Sequence, residues 1–284
     1  MLLLILLAVV GKWTWSVQSR LSKPQPGHHA FPFFAKEKER CPVVYAHRAN
    51  TGRYPENSLE SFLDAAKAGS DVLETDLRLT QDGVLIPFHD SSMQRMMGQS
   101  GGVEDYTLAD LQQWPLRQHN KEAIIPSFAE VVEALPLSRF NVEIKENKEA
   151  VVRALWDFIN AHELHDRIQV SSFHHDVLVA FRRLSNNRIP TGASPQEVVE
   201  FLLLWLLGQE SPMEFASLQL PYGGNKWLDK RVLAMLKKES GPRIQVFTIN
   251  SFEQIEPLLG NRRFGVMTDT PVALIEKKDQ RCKE

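Results

Sequence analysis

The chain has 284 residues, 43% hydrophobic and 24% charged, an ordinary globular composition that suits one large domain or two small ones. A formal net charge of −2, with no dense basic run, excludes the electrostatic footprint of a nucleic-acid binder. Cys41 and Cys282 lie near opposite ends with no Cys-x-x-Cys pair, which removes thiolate-zinc and thioredoxin-like chemistry.

The chain begins with an apolar run, MLLLILLAVV, followed by Gly11, Lys12, Trp13 and Trp15. A spanning helix needs roughly 20 apolar residues, so the run is short for one. No basic region precedes it, as a cleaved signal peptide would require, and flanking tryptophans suit a membrane interface. Residues 1–15 are therefore read as an uncleaved anchor rather than a cleaved signal, which predicts a membrane-associated protein. Residues 16–40, with Pro24, Pro26, Pro32 and several Ser and Lys, read as a polar tether.

From 41 to 277 the pattern is one domain in which strands and helices alternate. VVYAHR is a buried strand, and NSLESFLDAAKAG a helix with Asn57 as its expected N-cap, Glu60 three residues on and Gly69 closing it. DVLETDLRLT and VLIPFHD are strands joined through QDG, a tight turn rather than a helix. RFNVEIK, RIQVSSF, IPTGAS, FASLQLP, IQVFTI and FGVMTD follow, mostly separated by helical segments. Alternation of this kind predicts an α/β fold, an irregular (β/α)8 TIM barrel with one spare strand and a helix missing after QDG. A doubly wound open sheet is the alternative, weakened because no Gly-x-Gly-x-x-Gly follows a strand. Residues 198–208, VVEFLLLWLLG, are too apolar for an ordinary amphipathic crossover helix. They read either as a buried helix or as an apolar loop at the barrel mouth that touches lipid.

Polar residues gather where the first four strands end. The first ends in His47 and Arg48, the second carries Glu74 and Asp76, the third ends in His89 and Asp90, and the fourth carries Glu143 and Lys145. Residues two apart on a strand share a face, so Glu74 and Asp76 stand side by side, a costly arrangement unless a cation neutralises them. Clustered carboxylates without thiols make a hard-oxygen site, which predicts one divalent cation, Mg2+ or Ca2+, on Glu74, Asp76 and Glu143. Arg48 and Lys145 supply positive charge for an anionic substrate, and His47 with His89 divides the work of general acid and base. Cation, anion clamp and acid–base pair together describe phosphodiester cleavage.

From about Val43 to Pro271 the chain resembles the glycerophosphodiester phosphodiesterase family. The matching stretches are AHRA with PENS, LETDLRLTQDG, PFHD, EIK, FTIN and GVMTDTP, in the family's order. The resemblance implies an irregular barrel that hydrolyses glycerophosphodiesters, glycerophosphocholine-type or lysophospholipid, to an alcohol and a glycerol phosphate. It implies Glu74, Asp76 and Glu143 as metal ligands and His47 and His89 as the catalytic pair. Arg48 and Lys145 become phosphate contacts, and Glu56 of PENS a position near the substrate. The implied mechanism passes through a cyclic phosphate formed by the substrate's own glycerol hydroxyl. Ala49 stands where the family has glycine and fits only if its backbone avoids positive φ; Ser58 replaces threonine, and Phe247 replaces tryptophan. A related phospholipase that releases the cyclic phosphate, and a catalytically silent phosphate- or lipid-binding barrel, remain as rival readings.

The other histidines are expected to be structural, with His174 and His175 the candidates to line the mouth. Cys41 and Cys282 read as separate thiols; both fall on the side of a barrel away from the site, where a bridge would form only in an oxidising compartment.

Overall fold

The structure, a computed structural model, describes residues 31–35, 42–209, 214–237, 241–259 and 264–281. The apolar N-terminal run, most of the tether and both cysteines lie outside the described residues. Among the described residues, no helix is long and apolar enough to cross a membrane.

Strands β1 (Val43–Ala46), β2 (Val72–Leu79), β3 (Leu85–Pro87), β4 (Leu116–Gln118), β5 (Lys121–Ala123), β6 (Phe140–Ile144), β7 (Ile168–Ser171), β8 (Ser217–Pro221), β9 (Arg243–Phe247) and β10 (Phe264–Thr268) follow in chain order. The central sheet runs β7-β6-β2-β1-β10-β9-β8. All neighbours along that path are parallel, and residues 191 and 192 close the ring through parallel bridges Val170 to Thr191 and Gly192 to Ser217. IPTGAS is thus the eighth barrel stave, reduced to two bridges. Among the described residues three strands lie off that path: β3 is antiparallel to β2 across the QDG turn, where Gly83 supplies the positive φ of 80°, and β4 and β5 pair with each other in an antiparallel hairpin that the sequence reading does not contain. In place of a crossover helix, the stretch after β3 builds a satellite core of Ile86, Phe88, Met93, Met97 and Leu116.

The barrel interior carries an unexpected polar belt. Gln169 and Gln245 exchange side-chain amide bonds of 3.1 and 3.0 Å, and Gln245 Nε2 donates to the Tyr45 hydroxyl at 2.7 Å. Burial is affordable to these amides because each finds a partner. Gly265 faces this layer: a Cβ there would lie 2.5 Å from the Tyr45 ring.

Two sequence expectations are corrected here. Part of the tether is structured: Pro32–Phe34 forms a single 3-10 turn whose Phe33 and Phe34 are buried against Val43, Val72 and Ala216 at the barrel floor. Arg139 donates to the Phe33 carbonyl at 2.6 Å, and each buried ring contributes about 1.5–3 kcal/mol. The segment 198–208 belongs to helix Pro195–Leu206, started by Pro195 and by a Ser194–Glu197 capping box. It is neither a loop nor wholly buried: Phe201 and Leu204 enter the core, while Leu203 and Leu206 face outward.

Candidate active site

Parallel pairing brings Asp76 of β2 opposite Glu143 of β6, so their side chains leave adjacent strands on one face. Glu74 follows two residues earlier on that face. Ligand oxygens of Glu74, Asp76 and Glu143 all lie within 4.8 Å of one another. Lys145 Nζ sits between two of them, 2.9 Å from Asp76 Oδ1 and 2.8 Å from Glu143 Oε1. Arg48 Nε lies 3.5 Å from Asp76 Oδ2, and the Arg48 amide donates to Glu74 Oε2 at 2.8 Å.

Charges held this close divide their protons unequally. Burial above all, and then the Asp76 charge, pushes Glu74 up to about 7. Burial works against ionisation of Asp76 too, yet Lys145 and Arg48 hold it below the usual carboxylate range. Glu143 is raised by burial, against the pull of Lys145. Burial disfavours the Lys145 ammonium, but Asp76 and Glu143 more than compensate and raise it. Two cationic side chains therefore do not neutralise the cluster. The donor set, three carboxylates and no sulfur, fits a hard divalent cation, whose charge would remove the penalty on Glu74.

Each histidine is held through Nδ1 by a carboxylate. His47 Nδ1 meets Asp269 Oδ1 at 2.7 Å, and His89 Nδ1 meets Asp90 Oδ1 at 2.7 Å. Asp269 is oriented by Asn250, whose Nδ2 donates to it at 2.7 Å. Burial lowers His47, but the Asp269 bond and the Glu74 charge raise it further, so the net direction is upward. Asp90 is held down to about 2, first by its hydrogen bonds from Arg95. Arg95 spans two clusters: Nε donates to Asp90 Oδ2 at 2.6 Å, and NH2 donates to Glu56 Oε1 at 2.6 Å. Glu56 in turn accepts from Arg48 NH1 at 3.3 Å.

His47, Arg48, Glu74, Asp76, His89, Glu143 and Lys145 all line one pocket of about 680 Å³, as the sequence placed them. Phe173, Val198, Val199, Leu220, Pro221 and Phe247 form an apolar side of its lining, with Ser171, Ser172, Gln219 and Thr248 as polar groups around it. Glu56 is the exception among the expected site residues. It is buried and absent from the pocket lining, joining Arg48 to Arg95 instead of facing substrate. His174 lines a smaller neighbouring recess with Arg78, His89 and Asp90; His175 bonds to Ser194 Oγ and is structural.

Two local expectations fail. Ser58, not Asn57, caps helix Leu59–Lys67, accepting from Ser61 N at 3.2 Å. Asn57 adopts φ 59°, a conformation asparagine tolerates, and its Nδ2 donates to Asp76 Oδ2 at 3.2 Å. Ala49 does not avoid positive φ: Arg48 and Ala49 stand at 48° and 67°, and the Ala49 amide is used twice, by the Ala46 and Glu74 carbonyls. The turn is imposed by aiming Arg48 N at Glu74, at a cost of about 1 kcal/mol or more for a residue with Cβ.

The sequence reading does not single out Asp269, Asn250 or Arg95, nor the contact of Asn57 with Asp76. Asp269 and Asn250 sit in GVMTDTP and FTIN, at the ends of the last strands, where the rule applied to the first four would have found them. Arg95 lies in the helix Gln94–Met97 after β3, which at four residues is too short for periodicity to mark it.

Residues 47–273 match the model of the glycerophosphoryl diester phosphodiesterase family. The chain is 29% identical over 247 residues to a glycerophosphodiester phosphodiesterase of Bacillus altitudinis, covering 84% of this chain and 98% of that one. It is 23% identical over 265 residues to a human lysophospholipase D, covering 81% and 83%. Among solved structures it is similar in fold to a phosphodiesterase of Oleispira antarctica in complex with the product sn-glycerol-3-phosphate, with a TM-score of 0.67, 24% identity and coverage of 84% and 97%. A glycerophosphodiester phosphodiesterase of Thermotoga maritima gives a TM-score of 0.64 at 22% identity, covering 84% and 100%.

Proposed function

The chain belongs to the glycerophosphoryl diester phosphodiesterase family, and we propose that it hydrolyses glycerophosphodiesters that retain one acyl chain, releasing the head-group alcohol and an acylglycerol phosphate. The observation that carries this reading is the two-sided pocket: a charged wall with two carboxylate-held histidines faces a wall of Phe173, Val198, Val199, Leu220 and Phe247. A fully deacylated diester has no use for the second wall. A lysophospholipid fills both, and one relative is named for such an activity.

Glu74, Asp76 and Glu143 would hold one divalent cation, Mg2+ or Ca2+. When bound, such a cation acidifies a hydroxyl and takes up charge from phosphoryl oxygens. The chain's own residues then do the following. Arg48 and Lys145 border the carboxylates and draw the phosphate to them. Nδ1 of each histidine is committed to Asp269 or Asp90, which leaves Nε2 to exchange a proton with substrate. One histidine accepts the proton of the glycerol hydroxyl adjacent to the phosphate as that oxygen bonds to phosphorus. The other protonates the departing alcohol as its P–O bond breaks. Water then opens the cyclic diester with the histidine roles exchanged.

The first 15 residues are proposed to keep the protein at a membrane, where lysophospholipids reside. The deciding experiment is phosphorus NMR of products from glycerophosphocholine, lysophosphatidylcholine and its 2-O-methyl analogue, with Mg2+, Ca2+ or EDTA. Metal-dependent turnover of the second, none of the third and an acylglycerol phosphomonoester product support the proposal. A cyclic final product would reassign the chain to a phospholipase that stops halfway, and inertness on a broad diester panel to a silent binding barrel.

A further inference from the structure

Crossover helices of a barrel ordinarily turn polar side chains to water. Helix Glu149–Ala161 does so, with Arg153, Asp157 and Asn160 exposed. Helix Pro195–Leu206 reverses the rule. Beyond the exposed Pro195 and Gln196 of its first turn, its outward positions are Val199, Leu203 and Leu206, with Leu207 just after them, exposed to 57%, 48%, 44% and 66%. Spacings of four, three and one put them on a single stripe.

Two further observations say what covers this stripe. At its first turn it runs into the pocket: Val199 lines the cavity, and so does Phe173, itself 64% exposed. Alongside, Arg231 of helix Lys226–Leu236 lies over the rings of Trp205 and Trp227, 5.9 and 5.2 Å from their centroids, and Lys226 and Lys230 of that helix are exposed. An apolar stripe bordered by indoles and cations matches the chemistry of a lipid interface, where rings sit at headgroup level and cations meet phosphates.

The geometry points to a bilayer-docking surface: the outer face of helix Pro195–Leu206, with Phe173, lies in the headgroup and acyl boundary of a phospholipid membrane. The pocket then opens onto the leaflet, and a lysophospholipid slides past Val199 with its acyl chain always covered. This rests on the acylated substrate proposed above, and the test separates the two.

Full-length protein and a Leu203→Asp, Leu206→Asp variant are compared on soluble glycerophosphocholine and on lysophosphatidylcholine embedded in phosphatidylcholine–phosphatidylserine vesicles. Both positions are exposed and outside the pocket, so the melting temperature and the turnover of the soluble diester should be unchanged. On vesicles, kcat/KM should fall by about tenfold or more. In the unmutated protein, backbone hydrogen exchange over residues 199–207 should slow when vesicles are added. Equal vesicle activity with no change in exchange overturns the inference. So does a concentration-dependent dimer that the variant abolishes, which would assign the face to a second copy. Should neither protein cleave the lysolipid in any form, the acylated-substrate reading falls, and exchange protection by vesicles alone still decides the docking.

Discussion

His47, Arg48, Glu74, Asp76, His89, Glu143 and Lys145 make one wall of the pocket, and Phe173, Val198, Val199, Leu220, Pro221 and Phe247 dominate the other, beside Ser171, Ser172, Gln219 and Thr248. The two walls come from opposite halves of one barrel and are supported in different ways. Every charged group on the first is aimed by another: Asp269 and Asp90 hold the histidines, Asn57 holds Asp76, and Glu56 joins Arg48 to Arg95. The wall also keeps Arg48 and Ala49 in left-handed backbone and leaves Glu74 reluctant to ionise. The apolar wall needs none of this, because van der Waals contact has little directionality and a residue of similar volume serves as well. Function on one wall is geometry; on the other it is area.

That contrast is broken most severely by removing charge from the first wall. Glu74→Ala should lower kcat/KM by about a thousandfold or more on every diester, whatever its acyl content, with metal binding by calorimetry lost in parallel. Arg95→Ala, which touches no substrate, should lower kcat about 10–100-fold with KM little changed, and Arg95→Lys should recover only part because it cannot fork between Asp90 and Glu56. A loss confined to KM would show that Arg95 contacts substrate instead. On the second wall, Phe247→Ala should raise KM for lysophosphatidylcholine about tenfold and leave glycerophosphocholine unaffected. Equal effects on both substrates would mean that the walls do not divide labour.

The charged wall also leaves a signature in stability. A carboxyl whose folded pKa of about 7 exceeds its unfolded value binds the extra proton in the folded state. Stability of the metal-free protein should therefore fall as pH rises from about 4.5 to 7 through this group. Glu74→Gln should stabilise the metal-free protein at pH 8, on the order of 1–3 kcal/mol in denaturant titrations, and saturating Mg2+ or Ca2+ should stabilise only the parent. A variant no more stable than its parent would mean the cluster is relieved by other means. The smallest effect is expected at Ala49→Gly. Relief of positive φ and loss of a buried methyl nearly offset, so the change should stay within about 1 kcal/mol of zero.

Much of this was legible in the chain. Alternating strand and helix patterns, with QDG too tight for a helix, point to a barrel with one spare strand, and strand-end polar residues point to the charged wall; that β3 runs antiparallel, and that β4 and β5 pair in a separate hairpin, do not follow from those patterns. Period-2 spacing suffices for that, since a strand side chain can go only up or down. The supports were harder to read. Capping is a local rule and points Asn57 to its helix, whereas its actual partners, Asp76 and Thr75, are reached only when strand and turn meet. Arg95 gave no signal, since its carboxylates come from two distant stretches.

By itself, then, the sequence determined the strand periodicities, the residue types that chemistry needs and the order in which they arrive at one opening. Those follow from covalent geometry and from the cost of burying unpaired charge, both of which act over a few residues. Only the tertiary structure decided which carboxylate aims which histidine, that Lys145 sits between two acids, that Phe33 and Phe34 seal the floor, and that helix Pro195–Leu206 shows Leu203 and Leu206 to the outside. Such facts depend on distances between chain segments far apart in sequence, and those distances exist only once the barrel has closed.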